Sequence, residues 1–359
     1  MAEFQKKYGI GIVGCGSISA THAEAIRHTE YGRVVTAHSR SQSSLDNFCR
    51  RFDLPGYKDY EKFLTHPDLD VVVICTPSGT HLDFGRAAAE AGKHVVVEKP
   101  IEVTLQRGKS LIESCRSHGV KLAVIYQNRF IEDVIRMKRF VEEGRIGKPF
   151  MVDVAVKWFR DQNYYDGAAW RGTLSLDGGG VVINQAIHTI DLMLWICGNL
   201  KSLYAGKGTF THSGIEGEDN AVAVMEFEKG ALGVFRASTS IVPPAKRRIE
   251  IHGPEGTALL DGDEFRLLKS EEEDSRQSGN NGGTGSGTSG PLAGMSYHHH
   301  KKQYDQILDA LIHGSTPEVS GVESLKSLEV VQAIYTSSDR GEPVFFRESL
   351  SGSEAGRKS

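Results

Sequence analysis

Glu98-Lys99-Pro100 and Asn184-Gln-Ala-Ile-His188 are the two places where residue type and spacing point to proton chemistry. Lys99 closes the apolar run Val95–Glu98, and open parallel sheets bind ligands at the carboxyl ends of their strands. A lysine held there beside a cationic ring has its pKa lowered, which suits it for proton transfer. In the second stretch Asn184 and His188 are four residues apart and Asp191 lies three further on, so a helix brings all three to one side. Residues from Asp177 to Gly198 read as that helix, with Ile183, Ile187, Ile190 and Leu194 as its apolar stripe. Polar groups on so apolar a helix are costly unless partnered or functional. A single histidine is more often a satisfied core residue, so the helix alone leaves both readings open.

A third element is Gly14-Cys15-Gly16-Ser17-Ile18-Ser19, directly after the run Ile10–Val13. The first glycine permits a tight turn, and the second lets a pyrophosphate approach amides at a helix start. Ser19 stands where only a small residue is needed for helix–strand packing. This strand–turn–helix pattern predicts dinucleotide binding through Gly14, Gly16, Ser17 and Ile18. The next strand ends in Ala37-His38-Ser39-Arg40, without the carboxylate that accepts from an NAD ribose. Ser39 and Arg40 offer a small donor and a guanidinium fork, favouring NADP, with NAD a second possibility. An Arg at a strand end is also an ordinary solvated residue.

The elements that position these groups fall into two sets. Val34–His38, Val71–Cys75 and Leu122–Ile125 join the strands above, and helices Thr80–Ala91 and Thr104–His118 lie between them, each with a capping Thr and a closing Gly. Continuous apolar strands alternating with helices predict a doubly wound parallel sheet, an α/β Rossmann domain over residues 1–126. After the helical stretch Arg129–Glu143 come longer segments: Phe150–Phe159, Ser202–Thr211, Asn220–Phe227, Ala231–Thr239, Arg248–His252 and Thr257–Leu260. Turn signals at Lys229-Gly230 and Gly253-Pro254 suit antiparallel neighbours. A second, α+β domain with an open, mostly antiparallel sheet is therefore expected over 127–350, closed by helices Tyr297–His313 and Val322–Asp339. Residues 270–291 read as a flexible loop and 351–359 as a tail. His298–His300 read as a helix start near the surface, since three adjacent histidines cannot face one ion; no metal is expected.

With 359 residues, 39% hydrophobic and 25% charged, the chain is long enough for two cores. A net charge of −4 with no basic stripe argues against nucleic acid, and no apolar run spans a bilayer or resembles a signal peptide. Five dispersed cysteines without a CxxC pair suggest a reducing, cytoplasmic setting.

GCGSIS, CTPSGTH (Cys75–His81), VEKP (Val97–Pro100), QNRF (Gln127–Phe130), GGGVVINQAIHTIDL (Gly178–Leu192), EDNAVAVMEFEKGALG and the closing EPVFF occur in one order along nearly the whole chain. Together they resemble the glucose-fructose oxidoreductase/inositol dehydrogenase/MocA-like (Gfo/Idh/MocA) oxidoreductases. The resemblance implies that Lys99 is the catalytic lysine, contacting cofactor ribose and substrate hydroxyl, and that His188 accepts or donates a proton at the reacting oxygen. It places Thr76, Pro77, His81, Glu98 and Gln127 along the cofactor. Asn184 stands where many members have Asp; an amide orients a hydroxyl but takes no proton. Lys157–Thr173 is rich in aromatic and basic side chains, which stack on sugar rings and grip hydroxyls or carboxylates. Lys157, Arg160, Tyr165, Trp170 and Arg171 are therefore the substrate-contact candidates, and their charge favours an acidic or phosphorylated sugar. The implied reaction interconverts a secondary hydroxyl and a ketone on a sugar, sugar acid, inositol or nucleotide-sugar by hydride transfer. A glycoside hydrolase that oxidises its substrate transiently on bound NAD is the alternative, and a dimer or tetramer is the expected assembly.

Overall fold

The computed structural model describes residues 7–269 and 296–346. The predicted loop at 270–291 and tail at 351–359 lie outside them. Six strands, β1 (Tyr8–Val13), β2 (Gly32–His38), β3 (Gly56–Tyr57), β4 (Val71–Ile74), β5 (His94–Val97) and β6 (Leu122–Val124), form a parallel sheet in the order β3-β2-β1-β4-β5-β6. Helices α1 (Ser17–Arg27), α2 (Gln42–Phe52), α3 (Tyr60–Leu64), α4 (His81–Glu90) and α5 (Leu105–Ser117) connect them. Burial on both faces explains why Val71–Ile74 is apolar at every position. Strand order reverses between β1 and β4, so a crevice opens at their carboxyl ends, beside Gly14 and Thr76.

Thr104 caps α5 by accepting from the Arg107 amide at 3.3 Å. Thr80 does not cap α4. Its hydroxyl donates to the Pro77 carbonyl at 2.7 Å, because a short 3-10 turn, Ser78–Thr80, precedes that helix.

The second sheet has eight strands. They are β7 (Met151–Lys157), β8 (Leu200–Gly208), β9 (Asn220–Phe227), β10 (Leu232–Ser238), β11 (Arg248–Gly253), β12 (Gly256–Asp261), β13 (Glu264–Leu268) and β14 (Val344–Phe345). Their order is β13-β12-β11-β7-β10-β9-β8-β14, antiparallel except for the parallel pair β7–β10. The two predicted turns close the hairpins β9–β10 and β11–β12. Helices α6 (Glu132–Glu142), α7 (Gln162–Asp166), α8 (Ile187–Cys197), α9 (His298–Ile312) and α10 (Gly321–Arg340) complete the described chain. Alternation in β9 puts Ala221, Ala223, Met225 and Phe227 in the core and leaves Val222 and Val224 exposed.

Helix α9 packs on α1, and its Tyr304, Ile307 and Leu308 share a core with Ile10, Ile12 and Ile26 of the first sheet's layer. The histidine run does begin this helix, but His300 is fully buried rather than superficial, because its face meets α1. No helix among the described residues is long and apolar enough to cross a membrane.

Candidate active site

At the end of β1, Gly14 has φ +93, and a Cβ there would lie 2.9 Å from the Cys75 carbonyl oxygen. The chain turns at Gly16, the N-cap of α1, where no side chain bonds the first amides. A Cβ on Gly16 would meet nothing within 4 Å. Free helix-start amides facing open space are what a pyrophosphate requires. Ser19 is buried and donates to the Gly16 carbonyl at 2.6 Å, holding the turn. Ser17 is exposed beside it and Ile18 half-buried. At the end of β2, His38 turns inward and bonds the Tyr57 carbonyl at 3.0 Å, while Arg40 is exposed. Ser39 is buried and accepts from the Ser41 amide at 3.3 Å. These residues fit an adenine dinucleotide.

Thr76 and Pro77 follow β4, half-buried at the crevice. His81 lies deeper: both ring nitrogens face backbone carbonyls, of Pro100 and Thr76, at 3.0 Å. It ties the ends of β4 and β5 together instead of lining the crevice. The Lys99–Pro100 bond is cis. Glu98 Oε1 meets His22 Nε2 at 2.8 Å and Oε2 accepts from the Lys99 amide at 3.0 Å. Burial pushes Glu98 up, but the hydrogen bond and charge from His22 outweigh it and hold the carboxyl at about 2. His22, Glu98 and His300 form a buried cluster behind Lys99. Gln127 is buried with its Oε1 unpartnered.

Lys99 Nζ donates to the backbone carbonyl of Asn184 at 2.8 Å. Burial lowers its pKa, with Glu98 and Asp177 pulling the other way. His188 Nδ1 is buried without a partner, and its ring meets Tyr126 edge-on at 5.6 Å. Burial, then the charge of Lys99, lowers its pKa well below the usual value, so the imidazole is neutral.

The expected single helix through this region is two pieces. Val181–Ala186 is one π-helical turn and α8 starts at Ile187. At the turn's start the backbone passes so close to Glu218 that a Cβ on Gly180 would sit 1.8 Å from the Glu218 carbonyl. Glu218 accepts from the Val181 amide through its carbonyl, and from the Gly180 and Val182 amides through its carboxylate. Asp191 does not share the face of Asn184 and His188. It is buried in a two-pronged pair with Arg129, at 2.6 and 2.7 Å, braced by Ser327. The amide of Asn184 is engaged too: Nδ2 donates to Asp177 and Oδ1 accepts from Gln185 at 2.7 Å.

Among the substrate-contact candidates, Arg160 and Arg171 come together around Tyr164. Arg160 donates to Gln185 at 2.9 Å, Gln185 donates to the Tyr164 hydroxyl, and Arg171 stacks 4.3 Å from the Tyr164 ring centre. Trp170 lies half-buried under Arg171, at 5.7 Å, and Lys157 is half-buried at the end of β7. Tyr165 is spent elsewhere: it is buried and its hydroxyl bonds Thr239 at 3.0 Å. The tyrosine that joins both arginines is its neighbour Tyr164, which two consecutive tyrosines on a short helix do not distinguish in sequence. Asp177 was also missed as a site residue, being read only as the first residue of the expected helix.

A parallel sheet with a glycine turn and free helix start after β1, and a buried lysine and neutral histidine near the end of β5, is the arrangement of a nicotinamide-dependent dehydrogenase. Residues 8–126 match the oxidoreductase family with an NAD-binding Rossmann fold, and residues 134–259 match the GFO/IDH/MocA C-terminal domain. The chain belongs to the Gfo/Idh/MocA oxidoreductase family, whose members act by hydride transfer on sugar-like substrates. It is similar to the WlbA dehydrogenase of Bordetella pertussis, solved with NADH and UDP-GlcNAcA: 31% identity, 96% of this chain and 100% of that one, TM-score 0.84. It is 28% identical to myo-inositol 2-dehydrogenase of Thermotoga maritima over 257 residues, 70% of this chain and 75% of that protein. The NADP-dependent scyllo-inositol 2-dehydrogenase IolW of Bacillus subtilis is 28% identical over 282 residues, 74% of each chain.

Proposed function

We propose that this protein is an NADP-dependent dehydrogenase of a carboxylate-bearing sugar, in the manner of a nucleotide-linked uronic acid. The observation that carries this is the setting of Lys99, whose amine lies on the Asn184 carbonyl, with His188, whose Nδ1 has no partner, on the helix that follows and the Arg160–Tyr164–Arg171 cluster bonded to the adjoining Gln185. Bound at Gly14–Ile18, a nicotinamide nucleotide supplies the hydride acceptor or donor. Lys99 takes the hydroxyl proton and His188 holds or returns a proton at the same oxygen, while the Asn184 amide, expected to orient the sugar, is spent on Asp177 and Gln185. Two guanidiniums over aromatic faces suit a carboxylate, which they bind with charge-assisted hydrogen bonds. The relative solved with UDP-GlcNAcA supports that class of substrate. NADP rests on exposed Arg40 and on the lack of a carboxylate at the end of β2.

In this reading residues 1–126 bind the cofactor, and 127–350 carry substrate and subunit contacts. The protein works as a homo-oligomer, and its five free thiols suit a reducing cytoplasm. The test is absorbance of reduced nicotinamide with NADP+ and with NAD+ across uronic acids, their nucleotide conjugates, neutral aldoses and inositols. Turnover confined to the acidic sugars is expected. Turnover on neutral polyols alone would overturn the substrate class, and glycoside cleavage without net reduction would replace the dehydrogenase by a hydrolase.

A further inference from the structure

Two hydrogen bonds run from a buried carboxylate to the lysine that the proposed function makes the base. Asp177 Oδ1 accepts from Asn184 Nδ2, and the carbonyl of the same Asn184 accepts from Lys99 Nζ at 2.8 Å. The other oxygen of Asp177 accepts from the Gly172 amide at 2.8 Å, which fixes the carboxylate against the glycine turn. Only 2% of Asp177 is exposed, a costly place for a carboxylate unless its charge is used or matched. The nearer acid, Glu98, has one oxygen on His22 and the other on the Lys99 amide, so neither is turned to Nζ. The acceptor that Nζ does have, a peptide carbonyl, carries no net charge.

We propose that Asp177 is a positioning residue for Lys99: it holds in place the residue whose backbone carbonyl receives Nζ, and its negative charge acts through space to balance the lysine ammonium. This rests on the reading of Lys99 as the base. The charged and titratable groups facing the pair are Glu98 from the end of β5, His188 from α8, and Arg171, Tyr164 and Tyr165 from the segment around α7. Burial raises Asp177 to about 6, with Gly172, Asn184, Lys99 and Arg171 pulling it down; Asp177 in turn raises Lys99. Asp177 is therefore ionised at neutral pH, when Lys99 must exchange a proton.

Exchanging charge across one hydrogen bond tests this. The midpoint of Lys99 titration is read from the pH dependence of its acetylation by acetic anhydride, quantified by peptide mass spectrometry. Asp177→Asn should lower that midpoint by about one unit, the usual effect of losing a nearby opposite charge. The double variant D177N/N184D, with carboxylate and amide exchanged, should restore it. If Asp177→Asn does not fold, Asn184→Asp alone should raise the midpoint by adding a second carboxylate. An unchanged midpoint in both single variants, or a double variant no better than D177N, would overturn the proposal; a purely structural role would change thermal stability without moving the midpoint. Labelling needs no substrate, so failure of the sugar panel with the unaltered enzyme is a separate result from failure here.

Discussion

At the end of β5, Lys99 has lost much of the solvation a surface lysine keeps, and burial lowers its pKa despite Glu98 and Asp177. A lowered value makes the free amine available nearer neutrality, which a general base needs. His188 is lowered much further and stays neutral throughout the working range. In the oxidation direction kcat/KM should therefore rise with pH through the Lys99 titration, with no ascending limb from His188. Lys99→Met should reduce kcat by about 10²–10⁴ and abolish the pH dependence, while fluorescence titration shows NADPH binding retained. A variant still turning over at near-normal rate would remove Lys99 from the mechanism. Arg40 belongs to a second residue-scale test. Charge-assisted hydrogen bonds contribute about 1.5–3 kcal/mol, so Arg40→Glu should raise KM for NADP+ by about ten- to a hundredfold and improve use of NAD+. Equal KM values for NADP+ before and after substitution would count against a phosphate contact there.

Among the elements, α8 and the π-helical turn before it decide where Asn184 and His188 stand, and the anchor of α8 is the Arg129–Asp191 pair. Arg129 and Asp191 are 3% and 1% exposed, and breaking such a pair leaves a charge buried alone. Asp191→Ala should cost about 3–5 kcal/mol, seen as a lower midpoint in urea, and should weaken activity only through stability. A midpoint unchanged within experimental scatter would mean that α8 is held by packing alone. Sequence pattern reached far in this molecule. The five predicted parallel strands, the capping Thr104, the two hairpin turns and the loop at Gly14 are all present, because each rests on local rules of burial, capping or positive φ. What escaped depends on partners distant in the chain. β3 pairs through only two residues, too few for a period. At the start of the π-helical turn Glu218 accepts from the amides of Gly180, Val181 and Val182, and no 3.6-residue pattern records those contacts. Spacing alone aligns Asp191 with His188, yet Arg129, 62 positions away, claims it. Asp177 begins the expected helix, but its bond to Asn184 is visible only once the glycine turn is folded.

On the scale of the whole molecule, the second sheet is covered on one side by α8 and α10, while its other side carries an apolar row. Tyr204, Val224 and Val234 lie directly across β8, β9 and β10 in register, and are 47%, 56% and 37% exposed. Val222 and Leu232 extend the row, at 56% and 58%. Strands at the centre of a sheet need no apolar outer residues for pairing, so five on adjoining strands mark a surface meant to be covered. A second copy of the chain is the proposed cover, since a two-fold dimer buries the same patch on both subunits. Placing a charge in the middle of such a patch puts two like charges close together across the two-fold axis. Val224→Glu should therefore convert a dimer or tetramer into monomer at micromolar concentration, as read by sedimentation velocity. Its far-ultraviolet circular dichroism should match that of the unaltered protein, since Val224 points away from the core. Unaltered protein sedimenting as a monomer, or a Val224→Glu variant that keeps the assembly, would show that this face has another use.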